Sequence, residues 1–156
     1  MICVALVLRF APRLFASVAL PADGLSERLA FLARWMVLPG VTLLVGVVAA
    51  ARRGFYADAI DGTRTPVDHG MEINLRYNQN TLEQTLLAGI AWTALAVTLP
   101  IGQLVLLPAM ATLFLVGRAT FWIGYLVHPM GRAFGMTLTA LPVLGSYAWW
   151  VWRALG

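Results

Sequence analysis

Apolar positions in this chain run in long blocks, and the polar residues collect between them. The first charge-free block is Trp35 to Ala51, and its apolar stretch starts a turn earlier, at Leu29. A bilayer core of about 30 Å takes about 20 helical residues, so a block of this kind predicts a membrane-crossing helix, here over 29–51. The second block, Gln84 to Gly117, would reach roughly 50 Å as one helix, which is too long for a single crossing. Pro100 and Gly102 sit inside it, so it predicts two helices, about 80–99 and 103–127, joined by a tight turn. The last block, Ala133 to Trp152, predicts a fourth helix over 133–153, with Trp149, Trp150 and Trp152 as an aromatic belt at the membrane surface. The expected fold class is therefore all-α: an integral membrane four-helix bundle forming one domain.

Met1 to Leu20 is apolar but interrupted by Arg9, Pro12 and Arg13. It lacks the order of a secretory signal, with charge first and small residues last. Residues 1–28 read equally as an interfacial amphipathic segment or as the remnant of an extra span. Asp23-Gly24 followed by Ser26-Glu27 predicts a turn and a helix start before the first full span. Arg52 to Gln79 reads as the one polar connection and carries Gly54, Asp58, Asp61-Gly62, Pro66 and Asp68.

Composition sharpens this picture. The chain is 60% hydrophobic and 12% charged, whereas a soluble domain carries about 25% charged residues. All 11 basic residues are Arg; Arg suits desolvated sites and planar acceptors such as carboxylates, although a high-GC genome favours it too. The net charge of +4 comes with no basic run interleaved with aromatics, so no nucleic-acid partner is expected. The one cysteine, Cys3, excludes an intrachain disulfide, and His69 and His128 are too far apart for a recognisable metal motif, so no metal is expected. The positive-inside rule places the Arg52, Arg53, Arg64 and Arg76 loop and the Arg132 loop in the cytoplasm. Arg9, Arg13, Arg28 and Arg34 pull the other way.

The informative residues break the apolar pattern. Arg76, Asn80 and Glu83 share one face if their helix begins early. The third predicted helix offers Arg118, Phe121 and Tyr125, with His128 and Arg132 at or past its end near Pro129. A charge at the depth of Arg118 costs at least about 2.5–3.5 kcal/mol, so Arg118 is expected to face the bundle and have a partner. Glu83 is the natural candidate across the short turn. A buried Arg118–Glu83 pair that merely orients helices is one reading. The other is a polar pocket, rich in guanidinium and holding one carboxylate, which suits an anion that also carries an ammonium group. Glutathione has two carboxylates, one amine and one thiol, and a nearby Arg lowers a thiol pKa towards the reactive thiolate.

These residues resemble a known family, the membrane-associated proteins in eicosanoid and glutathione metabolism (MAPEG). Arg76-Tyr77-Asn78-Gln79-Asn80-Thr81-Leu82-Glu83 resembles the family's Arg-x-x-x-Asn-x-x-Glu motif. Gly117-Arg118 through Tyr125 to Arg132 is similar to its third-helix pattern, with steps of seven. Ala51-Arg52-Arg53-Gly54-Phe55 is similar to the Arg-Arg-Ala-Phe of the cysteinyl-leukotriene synthase branch. The resemblance, which points to a bacterial-type member related to microsomal glutathione transferase, implies a homotrimer with sites at subunit interfaces. It implies that Arg52, Arg76, Asn80, Glu83, Arg118 and Tyr125 bind glutathione, that Arg132 activates the thiolate, and that Arg53 is a second catalytic Arg. Gln84, where the synthase branch has an aromatic, and Phe121, where it has a polar aromatic, depart from the pattern.

The expected function is a glutathione-dependent enzyme that conjugates or reduces an apolar electrophile or hydroperoxide drawn from the lipid bilayer. The alternative is a non-catalytic lipid-binding protein of the same fold. The expected setting is a bacterial inner membrane, with the site facing the cytoplasm. Gly117, Gly124 and Gly131, spaced by sevens, would permit close helix contact or be neutral.

Overall fold

The structure, a computed structural model, describes residues 1–58, 60–61 and 68–155. Gly62, Arg64 and Pro66 of the predicted polar connection lie outside the described residues. Among those described, the chain is all-helical. α1 (Ile2–Leu14) is followed by α2 (Leu25–Ala51), α3 (His69–Thr98), α4 (Leu106–Val127) and α5 (Arg132–Leu155). A 3-10 turn, Arg52–Phe55, follows α2, and another, Ile101–Gln103, separates α3 from α4.

Three boundaries fall where the residue pattern puts them. α2 starts after Gly24 and stops at Ala51. Leu99 and Pro100 leave helical geometry, with ψ of 147° and 145°, and so break the long apolar block in two. His128 does the same for α4, with φ −158° and ψ 142°, as the residue before Pro129 must.

The start of α3 differs. The expected helix begins near Asn80, but α3 begins at His69, because Asp68 caps it by accepting from the Met71 N–H at 2.6 Å. Residues 69–79, the last part of the stretch read as a polar connection, are thus the first three turns of α3. Two helical stretches, Leu25–Phe55 and Ile101–Val127, are long and apolar enough to cross a membrane. α3 falls short because Glu72, Arg76 and Glu83 dilute its first half, and α5 is diluted by its tryptophans, Tyr147 and Ser146.

α1 has 13 residues, about 20 Å at 1.5 Å each, short of a bilayer crossing. Val4 and Ala11 are buried; Val4 packs with Leu113 and Leu138, and Ala11 with Val105 and Ala109. α1 therefore lies along α4 and α5 as a fifth helix.

α2 through α5 run alternately up and down. At one end Arg28, in the first turn of α2, donates to the Ala96 and Leu99 carbonyls at 3.1 and 2.7 Å. This guanidinium satisfies carbonyls at the C-terminus of α3, where the helix dipole also favours a cation. Asp23 holds it from the other side at 2.7 Å. The α2–α3 connection and the α4–α5 turn share the opposite end, where Arg52, Asp68, Trp122 and Leu126 line one cavity. The core is mainly aliphatic near Arg28, around Leu99, Leu104, Leu107 and Met110. It is aromatic at the other end, where Tyr77, Phe121 and Tyr125 pack with Trp122.

α4 and α5 approach through glycines. A Cβ on Gly124 or Gly131 would run into the other's backbone, and one on Gly135 would strike the Phe121 N and the Gly117 carbonyl. The seven-residue glycine spacing therefore marks a real helix contact, with Gly135 as a fourth member. Gly135→Ala should push α5 off α4 and destabilise the chain by about 1–3 kcal/mol, the usual cost of overpacking. Gly145→Ala, where a Cβ meets nothing within 4 Å, should be neutral. Thermal unfolding of both variants in detergent checks this contrast.

Candidate functional site

The α3 residues Leu75, Arg76, Gln79, Asn80 and Glu83 fall on one side of the helix and, with Arg132 of α5, line an open groove of about 400 Å³. Four of the eight sequence-predicted site residues, Arg76, Asn80, Glu83 and Arg132, are thus brought together. Arg76 is bound to Glu72 one turn back, at 2.9 Å from Nε and 2.7 Å from Nη2. Glu83 accepts from Gln79 Nε2 at 2.8 Å. Arg132 lies over the Tyr125 ring, its Cζ 4.6 Å from the centroid. Tyr125 is itself 8% exposed, so it supports Arg132 from below.

Arg118 stands behind this groove and not in it. It is fully buried and does not pair with Glu83. The expected Arg118–Glu83 ion pair does not form: Glu83 points outward, and Arg118 donates to Asn80 Oδ1 at 2.7 Å and to Thr139 Oγ1 at 3.2 Å. Its Cζ also lies 4.3 Å from the centre of the Phe121 ring. Phe121 therefore serves Arg118 and does not reach the groove. Gln84 is likewise buried, so both departures from the family pattern fall in the core.

Arg52 is the other displaced residue. It lines a separate cavity of about 280 Å³ with Tyr56, Asp68, Gly70, Met71, Asn74, Trp122 and Leu126. At 3.6 residues per turn, Gly70, Met71 and Asn74 lie on the side of α3 opposite Leu75, Arg76, Gln79, Asn80 and Glu83. Arg52 therefore does not join the groove of its own chain. Arg53, beside it in the 3-10 turn, does not line the groove either.

Three residues were not legible in the sequence. Glu72 is the i−4 partner of Arg76, a signal that appears only once Asp68 is taken as the start of α3. Asn74 accepts from Trp122 Nε1 at 3.0 Å and joins α3 to α4, which gives Trp122 a polar contact besides its packing. Thr139 carries no local signal, since only the register of α5 against α4 sets it beside Arg118. His128 acts locally, where its Nδ1 accepts from the Met130 N–H at 3.1 Å in the turn.

Residues 29–152 match the MAPEG family. The chain belongs to that family. The match takes in α2 to α5 almost entire and leaves α1 outside it. Transmembrane protein 79 of Mus musculus is 32% identical to this MAPEG protein over 79 residues, which is 51% of the chain. The match covers 20% of that relative, so the chain spans about a fifth of its length. No solved structure matches. The family and the two apolar helices make this an integral membrane protein.

Because Glu83 does not pair with Arg118, its loss has little bearing on stability. Glu83 is exposed and, among the described residues, bonded only to Gln79, so Glu83→Gln orphans no buried charge. Its effect on thermal unfolding in detergent should stay within about 0.5 kcal/mol, as for ordinary surface changes. A loss of several kcal/mol would mean that Glu83 neutralises a buried Arg after all.

Proposed function

We propose that this MAPEG protein is a glutathione-dependent membrane enzyme and that the Arg76–Asn80–Glu83–Arg132 groove holds the tripeptide. The observation that carries this reading is the arrangement of charge in the groove. Two guanidinium groups, two side-chain amides and one carboxylate line a single open space of about 400 Å³. Arg76 and Arg132 match the carboxylates of glutathione, since a guanidinium fork binds a carboxylate through two parallel bonds. Glu83 matches its ammonium.

In this reading Arg132 stabilises the thiolate. Arg stays charged and cannot take the thiol proton, so its part is electrostatic and the proton leaves to water. The Tyr125 ring beneath it holds the guanidinium in place. The thiolate attacks an electrophilic carbon, forming a C–S bond as a leaving group such as halide departs with its electron pair. With a hydroperoxide, the thiolate attacks the distal oxygen and releases an alkoxide, which is protonated to the alcohol. A second glutathione then reduces the sulfenic acid, giving glutathione disulfide and water. The groove runs along the first half of α3, and in this reading an apolar substrate from the bilayer meets there a thiol from water.

The open wall of the groove and the position of Arg52 across α3 support a site completed by a neighbouring copy. We assign that role to Arg52 and Arg53 of the next subunit in a homotrimer. We assign the Arg52, Arg53, Arg76 and Arg132 end to the cytoplasmic face of a bacterial inner membrane, an orientation that the positive-inside rule supports through these loops.

A non-catalytic lipid-binding role is the second reading, and one cavity favours it. About 250 Å³ of apolar space lies at the other end of the bundle, between Leu8, Leu95, Leu99, Leu106, Leu141 and Trp149.

Calorimetry in detergent should show glutathione binding to the parent protein. Arg132→Ala should keep that binding and raise the bound thiol pKa by about 1–2, towards the free value near 8.5, seen as lost thiolate absorbance in the ultraviolet. Arg132→Lys should fall between, since it keeps the charge and loses the fork. A parent that never shows a thiolate, and turns over neither an aryl halide nor a lipid hydroperoxide, would hand the function to the lipid-binding reading.

Shared sites predict complementation. Arg52→Ala and Arg132→Ala subunits, each inactive alone, should regain activity when co-assembled, because some interfaces then carry neither substitution. No recovery in mixed assemblies would place each site within a single chain.

A further inference from the structure

Arg118 is fully buried, and among the described residues no carboxylate lies within ion-pair distance of it. Its polar contacts are Asn80 Oδ1, Thr139 Oγ1 and the Met136 sulfur at 3.9 Å, and its Nε has no partner. A charge held this way has a strong use for one acceptor in particular, the Asn80 oxygen at 2.7 Å.

That contact settles which way the Asn80 amide points. A side-chain amide carries an acceptor oxygen at one corner and a donor NH2 at the other. Guanidinium has donors only, so the corner facing Arg118 must be the oxygen. The amide is planar, so its NH2 is turned away from Arg118. Asn80 lines the groove, and its Nδ2 makes no hydrogen bond among the described residues and is not buried. The groove therefore receives a fixed pair of N–H donors between Arg76, Glu83 and Arg132.

We propose that Arg118 is a positioning residue that does not touch the ligand but locks the Asn80 amide as a donor, so that the groove selects a carboxylate at this point. Had the amide been free to flip, Asn80 could accept from an ammonium as readily as it donates to an anion. The Phe121 ring below Arg118 and Thr139 beside it hold the guanidinium in register, so the choice is made by residues from three helices. This rests on the glutathione reading for the identity of the ligand, but the orientation of Asn80 does not depend on it.

Asn80→Asp separates the two consequences by sign. The new carboxylate keeps the shape of the side chain and gives Arg118 the counter-charge it lacks, so the melting temperature in detergent should rise by on the order of 5 °C. The same change replaces the groove-facing NH2 with a negative oxygen. Binding of glutathione, and of the plain dicarboxylate glutarate, should weaken at least about tenfold. A purely structural Asn80 would give higher stability with unchanged affinity, and that result overturns the proposal. So does a melting temperature that fails to rise, since Arg118 would then not be short of a counter-charge. Arg118→Gln, whose amide can still donate to Oδ1, should keep more affinity than Arg118→Met, and equal affinity in two folded proteins would also overturn it. A parent that binds glutarate but not glutathione removes the glutathione reading and leaves this inference standing. A parent that binds neither removes both.

Discussion

A guanidinium sealed inside a membrane protein constrains everything packed around it. Arg118 sits in the middle of α4 with no exposed surface, where a charge costs at least about 2.5–3.5 kcal/mol. Offsetting that cost takes oxygen atoms from the two neighbouring helices, Asn80 on α3 and Thr139 on α5, and the face of an aromatic ring from α4 itself. Each of these requires a register. A one-residue slip of α3 or α5 would rotate its oxygen about 100° away and leave the cation facing hydrocarbon. Arg118 thus orients three helices, and it does so without an ion pair.

Such short bonds across helices are possible because α4 and α5 lie unusually near each other. Gly117, Gly124, Gly131 and Gly135 leave no side chain between the two backbones, and Thr139 is brought to 3.2 Å from Arg118 by that closeness. In lipid the hydrophobic effect does little to press helices together, so close packing and interhelical hydrogen bonds carry the association. The far end is pinned by the same means, since Arg28 satisfies the carbonyls at the end of α3. Arg118 bonds to uncharged oxygens alone, whereas Arg28 adds the Asp23 carboxylate to its two carbonyls. This leaves the carboxylates Glu72 and Glu83 at the surface, where they border or support the groove.

The groove inherits its character from this frame. Its donors are placed by buried neighbours: Arg132 by Tyr125, and the Asn80 amide by Arg118. Its carboxylate, Glu83, is steadied by Gln79 on its own helix. Within a single chain the groove is open along one side, and Arg52 after α2 lies across α3 from it. A site in which one wall is rigid and the other is missing suits completion by a second copy.

Much of the helical layout is legible in the chain because it follows from local rules. Charge-free blocks mark helices that need no water, Pro100 and Pro129 end them, and Ser26-Glu27 after Gly24 starts one. The motif positions Arg76, Asn80 and Glu83 stand together as their spacing implies, since residues three or four apart share a helix face, whereas Arg132 reaches them only through the packing of α5. The start of α3 is less legible because its polarity reads as a loop, although Asp68 is a capping residue and Glu72 pairs with Arg76 in the first turns. What spacing cannot decide is which partner a residue meets across helices. Glu83 and Asn80 are nearly equivalent as candidates for Arg118 along the chain, and only the rotation of α3 about its axis turns Asn80 inward and Glu83 out. Thr139 and the separation of Arg52 from the groove belong to the same class. They depend on axial rotation and on the distance between helices, and these are set by the summed packing of glycines and aromatics that no single stretch of sequence contains.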